Sequence, residues 1–126
     1  MSKTYQECSY EESMAYVEAY FATVDLIADA LYKYDLLASD APTGALRSYF
    51  RARSLEAQRD LELLKNKRRA FLNGTSRIRP PSQAVVDAAV ERAERLAEIL
   101  AEQAQADAII QLATDGLKAF AKIQAA

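Results

Sequence analysis

The first apolar stripe of the chain repeats every three or four residues and indicates a long helix. Ser9 and Glu12 form the S-x-x-E pattern of a capping box, in which each side chain accepts a hydrogen bond from the other residue's backbone N–H. The apolar positions that follow are Tyr10, Met14, Val17, Phe21, Val24, Ala28 and Leu31. Three more widen the stripe on one side: Tyr20, Ile27 and Tyr34. This spacing is typical of a heptad core, and it predicts a helix over about 9–38.

Two further helices are predicted after the first. The second covers about 43–72, where apolar residues recur with a period near 3.6, and Asn73-Gly74 ends it. The third covers about 82–124, after the Pro80-Pro81 pair, and its apolar residues keep a heptad spacing. Asp115-Gly116 is the weak point of this third helix, so we expect a kink there or a short fourth helix after Gly116.

These elements predict an all-α fold, an antiparallel three-helix bundle with long helices. Short loops between helices favour up-down-up packing, and the length of the chain favours one domain over 1–126. Residues 1–8 precede the first cap and are expected to be flexible. No strand-like alternation of apolar and polar residues interrupts the helical pattern.

The third helix is predicted to be longer than its neighbours. At a rise of 1.5 Å per residue, it would reach roughly 65 Å against roughly 43 Å for the first helix. Leu117, Phe120 and Ile123 lie in the overhanging end. We expect this end either to pack against another chain or to fold back after Gly116, because an exposed apolar end is an aggregation liability.

The tyrosines of the first helix suggest a second contact surface. Tyrosine is enriched at protein interfaces because it combines apolar area with a polar tip. Tyr16 and Tyr20 are therefore candidate interface residues, although they could equally cover the edge of the bundle.

Charge is distributed unevenly along the chain. The net charge is −2 overall, but residues 1–39 carry −5 and residues 40–81 carry +6. One acidic stripe on the first helix consists of Glu11, Glu18, Asp25 and Asp29. One basic stripe on the second helix consists of Arg47, Arg51, Lys65 and Arg69. In an antiparallel hairpin we expect these two stripes to form ion pairs with each other, as e and g positions do in coiled coils.

A cluster of six basic residues surrounds the end of the second helix and the loop after it. Its members are Lys65, Lys67, Arg68, Arg69, Arg77 and Arg79. Cations favour the negative end of a helix dipole, so one interpretation of the cluster is structural. The other is a site for an anion such as a nucleic-acid backbone or an acidic partner. Arg53 and Arg68 project within the apolar stripe of the second helix, and the sequence does not decide whether they are buried.

The composition excludes several kinds of chemistry. The chain has no histidine, which excludes Ser-His-Asp and Cys-His catalysis and histidine-containing metal sites. It has no Gly-rich phosphate loop and no clustered metal ligands, so we expect no enzymatic activity and no cofactor. The lone Cys8 and the lack of a signal-peptide pattern favour the cytoplasm. No apolar run is long enough for membrane insertion.

The sequence therefore favours a non-catalytic helical protein–protein interaction module, such as an adaptor, a chaperone or an inhibitor. We expect its partner to be another protein or a second copy of itself, giving a homodimer through the third-helix overhang and the tyrosines. The alternative is an anion-binding or nucleic-acid-binding module that uses the basic cluster. The sequence identifies no partner.

Overall fold

A computed structural model describes residues 1–125 and confirms the all-α class. The four helices are α1 (Tyr10–Asp40), α2 (Gly44–Leu72), α3 (Gln83–Glu98) and α4 (Ala106–Ile123). Two short strands, β1 (Arg77–Ile78) and β2 (Gln124–Ala125), pair antiparallel. Single turns of 3-10 helix precede α1 and α4. The bundle therefore has four helices where the sequence pattern predicted three.

Helix α1 is the central element, because α2, α3 and α4 all pack against it. Its start is the predicted capping box: the Ser9 side chain accepts from the Glu12 N–H, and the Glu12 carboxylate accepts from the Ser9 N–H. These bonds satisfy backbone donors that have no partner within the helix. Helix α2 begins with a single side-chain cap, in which the Thr43 hydroxyl accepts from the Leu46 N–H.

The buried face of α1 is not the heptad stripe that the pattern favoured. The residues it buries, here called the inner face, include Tyr16, Tyr20, Leu26, Ile27, Ala30, Tyr34 and Leu37. Of the predicted stripe, Tyr10, Met14, Phe21 and Ala28 are exposed. The helix carries two apolar series with the same spacing, and Glu18 and Asp25 lie beside the exposed one. Burying that series would have desolvated both carboxylates, which is costly without a partner.

The helix predicted over 82–124 is broken, and the break is not at Gly116. It ends after Glu98, where Ile99 adopts an extended backbone, and α4 begins at Ala106. The Leu96 carbonyl accepts from the N–H of the C-cap Ile99 and also from the buried Lys33 ammonium. Because α4 folds back, its apolar residues pack into the core, and residues 1–125 have no overhanging end. No glycine or proline marks this break, so local sequence gave no sign of it.

Gly116 has a packing role instead. It lies inside α4 and is buried against α1, where a Cβ atom at this position would overlap the Cδ2 atom of Leu26. The glycine therefore allows the backbone of α4 to approach α1 closely. The residue that indicated a kink is the residue that permits the two helices to touch.

The N-terminal residues are held in place, in contrast to the flexible segment expected over 1–8. Lys3 exchanges backbone hydrogen bonds with Ile78, with N···O distances of 2.7 and 2.8 Å. The Lys3 ammonium also pairs with Glu12 at 3.0 Å. Because Ile78 is fully buried and β1 also pairs with β2, this small sheet closes one end of the bundle.

Candidate interaction surface

The five residues predicted as an interface belong mainly to the core. Tyr16, Tyr20, Phe120 and Ile123 are buried, and Leu117 is partly buried. The ring centroid of Tyr16 lies 4.6 Å from that of Phe71 and 5.8 Å from that of Phe120. Four of these side chains are therefore packed in the core of this structure and are not available to a partner, whereas Leu117 lines a cavity between α2 and α4.

The surroundings of the Tyr16 hydroxyl also place this residue in the core. Its hydroxyl accepts a hydrogen bond from the Gln124 side chain at 2.7 Å, so its polar tip is satisfied inside the protein. Burial raises the pKa of Tyr16 to about 12, and burial raises the pKa of Tyr34 likewise to about 12.

The six residues predicted as an anion site do not form one patch. Lys65 pairs with Glu62 at 3.5 Å, and Arg77 pairs with Glu7 at 3.1 Å. Lys67 faces a cavity between α2 and α4, while Arg69 is exposed elsewhere on α2. Arg79 donates to the Lys122 carbonyl. The structure thus distributes this cluster over several sides of the molecule.

The two arginines within the apolar stripe of α2 both lie against aromatic rings. The guanidinium carbon of Arg68 is 5.4 Å from the ring centroid of Tyr20 and 5.8 Å from that of Phe21. Arg53 lies 5.4 Å from the Tyr49 centroid and pairs with Glu56 at 3.8 Å. Both are half-buried, with cation–π contacts in place of a buried carboxylate.

The ion pairs expected between α1 and α2 are also absent from residues 1–125. Asp35 accepts from the Ser54 hydroxyl at 2.6 Å, and Asp29 pairs with Lys33 at 3.2 Å on the same helix. Glu11, Glu18 and Asp25 on α1 remain exposed, with no ion pair in the described part of the chain.

An exposed apolar stripe on α1 is the clearest surface feature. This outer face consists of Tyr10, Met14, Phe21, Ala28 and Tyr32, which lie within about 40° of one another at 100° per residue. Tyr10 is 75% exposed, Phe21 49% and Tyr32 61%. Large side chains exposed singly are ordinary on protein surfaces, but a continuous row of them is typical of a binding site.

The outer face has edges of opposite charge. Helix α1 itself supplies an acidic edge of Glu11, Glu18 and Asp25, all exposed. Helix α2 lies on the other side of the stripe, where Arg68 contacts the Phe21 ring, and its exposed basic stripe of Arg47, Arg51, Lys65 and Arg69 is here called the basic edge. These are the two charged stripes found in the sequence, separated by apolar residues instead of paired.

Two of the cavities on the described surface lie away from the outer face and border predicted basic residues. One, of about 270 Å³, lies between α2 and α4 and is lined by Leu63, Lys67, Leu117 and other mostly apolar residues. Asp60 lies at its margin, where burial, and secondarily the neighbouring Glu56, raise the pKa of its carboxyl group. The packing of α2 and α4 on α1 leaves this space open.

The second cavity, of about 430 Å³, lies at the sheet end of the bundle between the start of α3 and the end of α4. Its charged lining residues are Arg79, Arg92 and Lys122, with no acid among the lining side chains. Only Arg79 was predicted as a binding residue. Arg92 and Lys122 were missed because they lie far from the basic cluster in sequence.

Comparison with known proteins assigns no family. No family model matches the chain, and no curated protein or solved structure shows significant similarity to it. Within residues 1–125, no helix is long and apolar enough to cross a membrane, and no three side chains of the types that bind metals converge. The function must therefore be argued from the surface of the molecule.

Proposed function

We propose that this chain is a non-catalytic protein–protein interaction module that binds its partner through the outer face of α1. The observation that carries the proposal is the row of exposed aromatic and apolar side chains, which the packing of the other three helices leaves open. Aromatic residues and methionine are enriched at the centres of protein interfaces.

The position of Phe21 supports this proposal. Its ring lies beside both Tyr20 and the Arg68 guanidinium, with a centroid distance of 5.3 Å to Tyr20. A ring fixed by its neighbours loses less conformational entropy on binding than a free one. The outer face is also on a long helix, which gives a partner a rigid ridge to contact.

The proposal includes the absence of catalysis and a cytoplasmic location. No histidine is available as a general base, and Cys8 has no second cysteine with which to form a disulfide. An adaptor, a chaperone or an inhibitor would each fit such a module.

The test is photo-crosslinking in the source cell. A photoreactive amino acid replaces Ala28, which is a small exposed residue within the outer face. The matched control carries the same amino acid at Asp107, which is exposed on α4. We expect a discrete crosslinked protein from position 28 and none from position 107. Recovery of no discrete protein from position 28 would overturn the proposal.

The cavity at the sheet end supports a second candidate function, anion binding. Arg79, Arg92 and Lys122 come from three segments and would attract a phosphate or carboxylate group. A fluorescent single-stranded oligonucleotide serves as the probe. We expect its affinity to fall steeply with salt and to weaken in Arg92→Ala but not in Arg59→Ala, which removes an exposed α2 cation. Binding that is absent or equally weakened by both changes would remove this candidate.

A further inference from the structure

We propose that the occupant of the outer face is a second copy of this chain, bound so that the two α1 helices run parallel about a two-fold axis. The inference rests on the proposed function of this face and specifies its partner. The two charged edges and their positions along the helix favour this arrangement.

The contacts between α1 and α2 show which residues of the two helices lie at the same height along the α1 axis. Ser54 bonds Asp35 near one end, and Arg68 lies over Phe21 further along, so α2 runs antiparallel to α1. Moving one residue along each helix from the Arg68 contact brings Arg69 level with Tyr20. Moving three residues in the opposite direction from the Arg68 contact brings Lys65 level with Val24. Two residues of the basic edge, Arg69 and Lys65, therefore lie at nearly the same heights as Glu18 and Asp25.

A two-fold axis parallel to α1 preserves height and exchanges the two edges. The acidic edge of one copy then faces the basic edge of the other, and this occurs twice because the interface is isologous. Glu18 comes close to Arg69 of the second copy, and Asp25 close to its Lys65. In the antiparallel arrangement the acidic edges would face each other, as would the basic edges, and like charges repel.

The apolar row between the edges supplies the contact area. From Tyr10 to Tyr32 it extends roughly 33 Å at 1.5 Å per residue, which is the length of a substantial helix–helix contact. Apolar residues flanked by complementary charges are the pattern of parallel coiled coils, in which charge selects the partner and its orientation. The ion pairs predicted between the acidic and basic stripes thus form between two chains instead of within one chain.

Charge reversal tests the pairing. One variant carries Glu18→Lys with Asp25→Lys, and the other carries Lys65→Glu with Arg69→Glu. All four positions are exposed, so circular dichroism should show folded protein in each case. In sedimentation equilibrium we expect the wild type to have twice the 14.0 kDa chain mass. Each variant alone should dissociate at least about tenfold more readily, because like charges then face each other.

Mixing the two reversed variants should restore association, since every edge of one is then opposite in charge to the facing edge of the other. The variant with all four reversals should also form a homodimer. A monomeric wild type, or variants that associate as tightly as the wild type, would overturn the inference. A foreign protein crosslinked from position 28 would then leave the proposed function standing.

Cysteine crosslinking tests the orientation. In a Cys8→Ser background, Ala28→Cys and Met14→Cys are each examined for a disulfide between two copies. A parallel two-fold axis places each residue opposite itself, so we expect both variants to crosslink. An antiparallel pair can bring only one of the two positions opposite itself. Crosslinking at only one position, or at neither, would contradict the parallel arrangement.

Discussion

The two faces of α1 have similar residues at the same spacing, yet one is core and the other is surface. The inner face buries Tyr16, Ile27 and Tyr34, while the outer face leaves Tyr10, Phe21 and Tyr32 in contact with solvent. Neighbouring residues of each series mostly lie three, four or seven residues apart. The difference lies beside them: acids border the outer face, whereas α3 and α4 cover the inner one. Flanking charge, more than apolar periodicity, distinguishes a face that folds the chain from a face that can bind.

The largest expected effect is on the free energy of unfolding, and it comes from truncating a buried leucine of α1 in comparison with an exposed one. Leu26 is 1% exposed and Leu36 is 37% exposed on the same helix. Leu26→Ala should lower the free energy of unfolding by about 2–5 kcal/mol, because it removes packed atoms and leaves a cavity. Leu36→Ala should lower it by less than about 1 kcal/mol. Urea unfolding of both variants measures the difference, and equal losses would mean that α1 has no distinct inner face.

A smaller effect is expected at alkaline pH. Folding raises the pKa of Tyr16 and of Tyr34 from an ordinary 10 to about 12, since burial disfavours the phenolate. The unfolded chain therefore loses these protons first as pH rises. The stability that each contributes is fully present below pH 10 and is lost as the pH rises toward 12, on the order of 2 kcal/mol per tyrosine.

Denaturant unfolding between pH 9 and 12 measures this loss. Tyr16→Phe provides the matched control, because it retains the ring and removes the titrating hydroxyl. The variant should show a shallower decline in stability with pH than the wild type. A decline of the same steepness would show that Tyr16 is not protected by burial.

The smallest effect is expected at Gly116, where α4 meets the inner face. Gly116→Ala introduces a Cβ that overlaps a methyl group of Leu26, a crowding that typically costs about 1–3 kcal/mol. Alanine has a higher helix propensity than glycine, and this offsets about 1 kcal/mol of the cost. We therefore expect a net loss of about 1 kcal/mol by thermal unfolding. A gain in stability would show that the two helices do not touch at this position.

The helices themselves were largely predictable from sequence, because caps and periodicity are local. The Ser9–Glu12 capping box and the end of α2 at Asn73 follow from residue types at short spacing. The break after Glu98 was not predictable, since no glycine or proline marks it and a contact at this end of α3 comes from Lys33, which is distant in sequence. Gly116 was misinterpreted for the same reason: its role depends on Leu26 of another helix.

Part of the candidate interaction surface could be predicted from the sequence. Both charged stripes and four of the five outer-face residues were identified in the sequence, but those four were assigned to the core and Tyr16 and Tyr20 to an interface. Apolar periodicity alone does not distinguish between two apolar series on the same helix. Exposed acids beside one series, Glu18 and Asp25, carried the information that distinguished them. The interaction module and the homodimer remain predictions that rest on this face.

The most direct test of the binding face is the mass of the chain in solution after one outer-face substitution. Tyr32→Asp places a charge on the outer face, and Leu63→Asp places the same charge on an exposed apolar residue beside the α2–α4 cavity. We expect sedimentation equilibrium to give twice 14.0 kDa for the wild type and for Leu63→Asp, and 14.0 kDa for Tyr32→Asp. One mass shared by all three proteins would contradict the account.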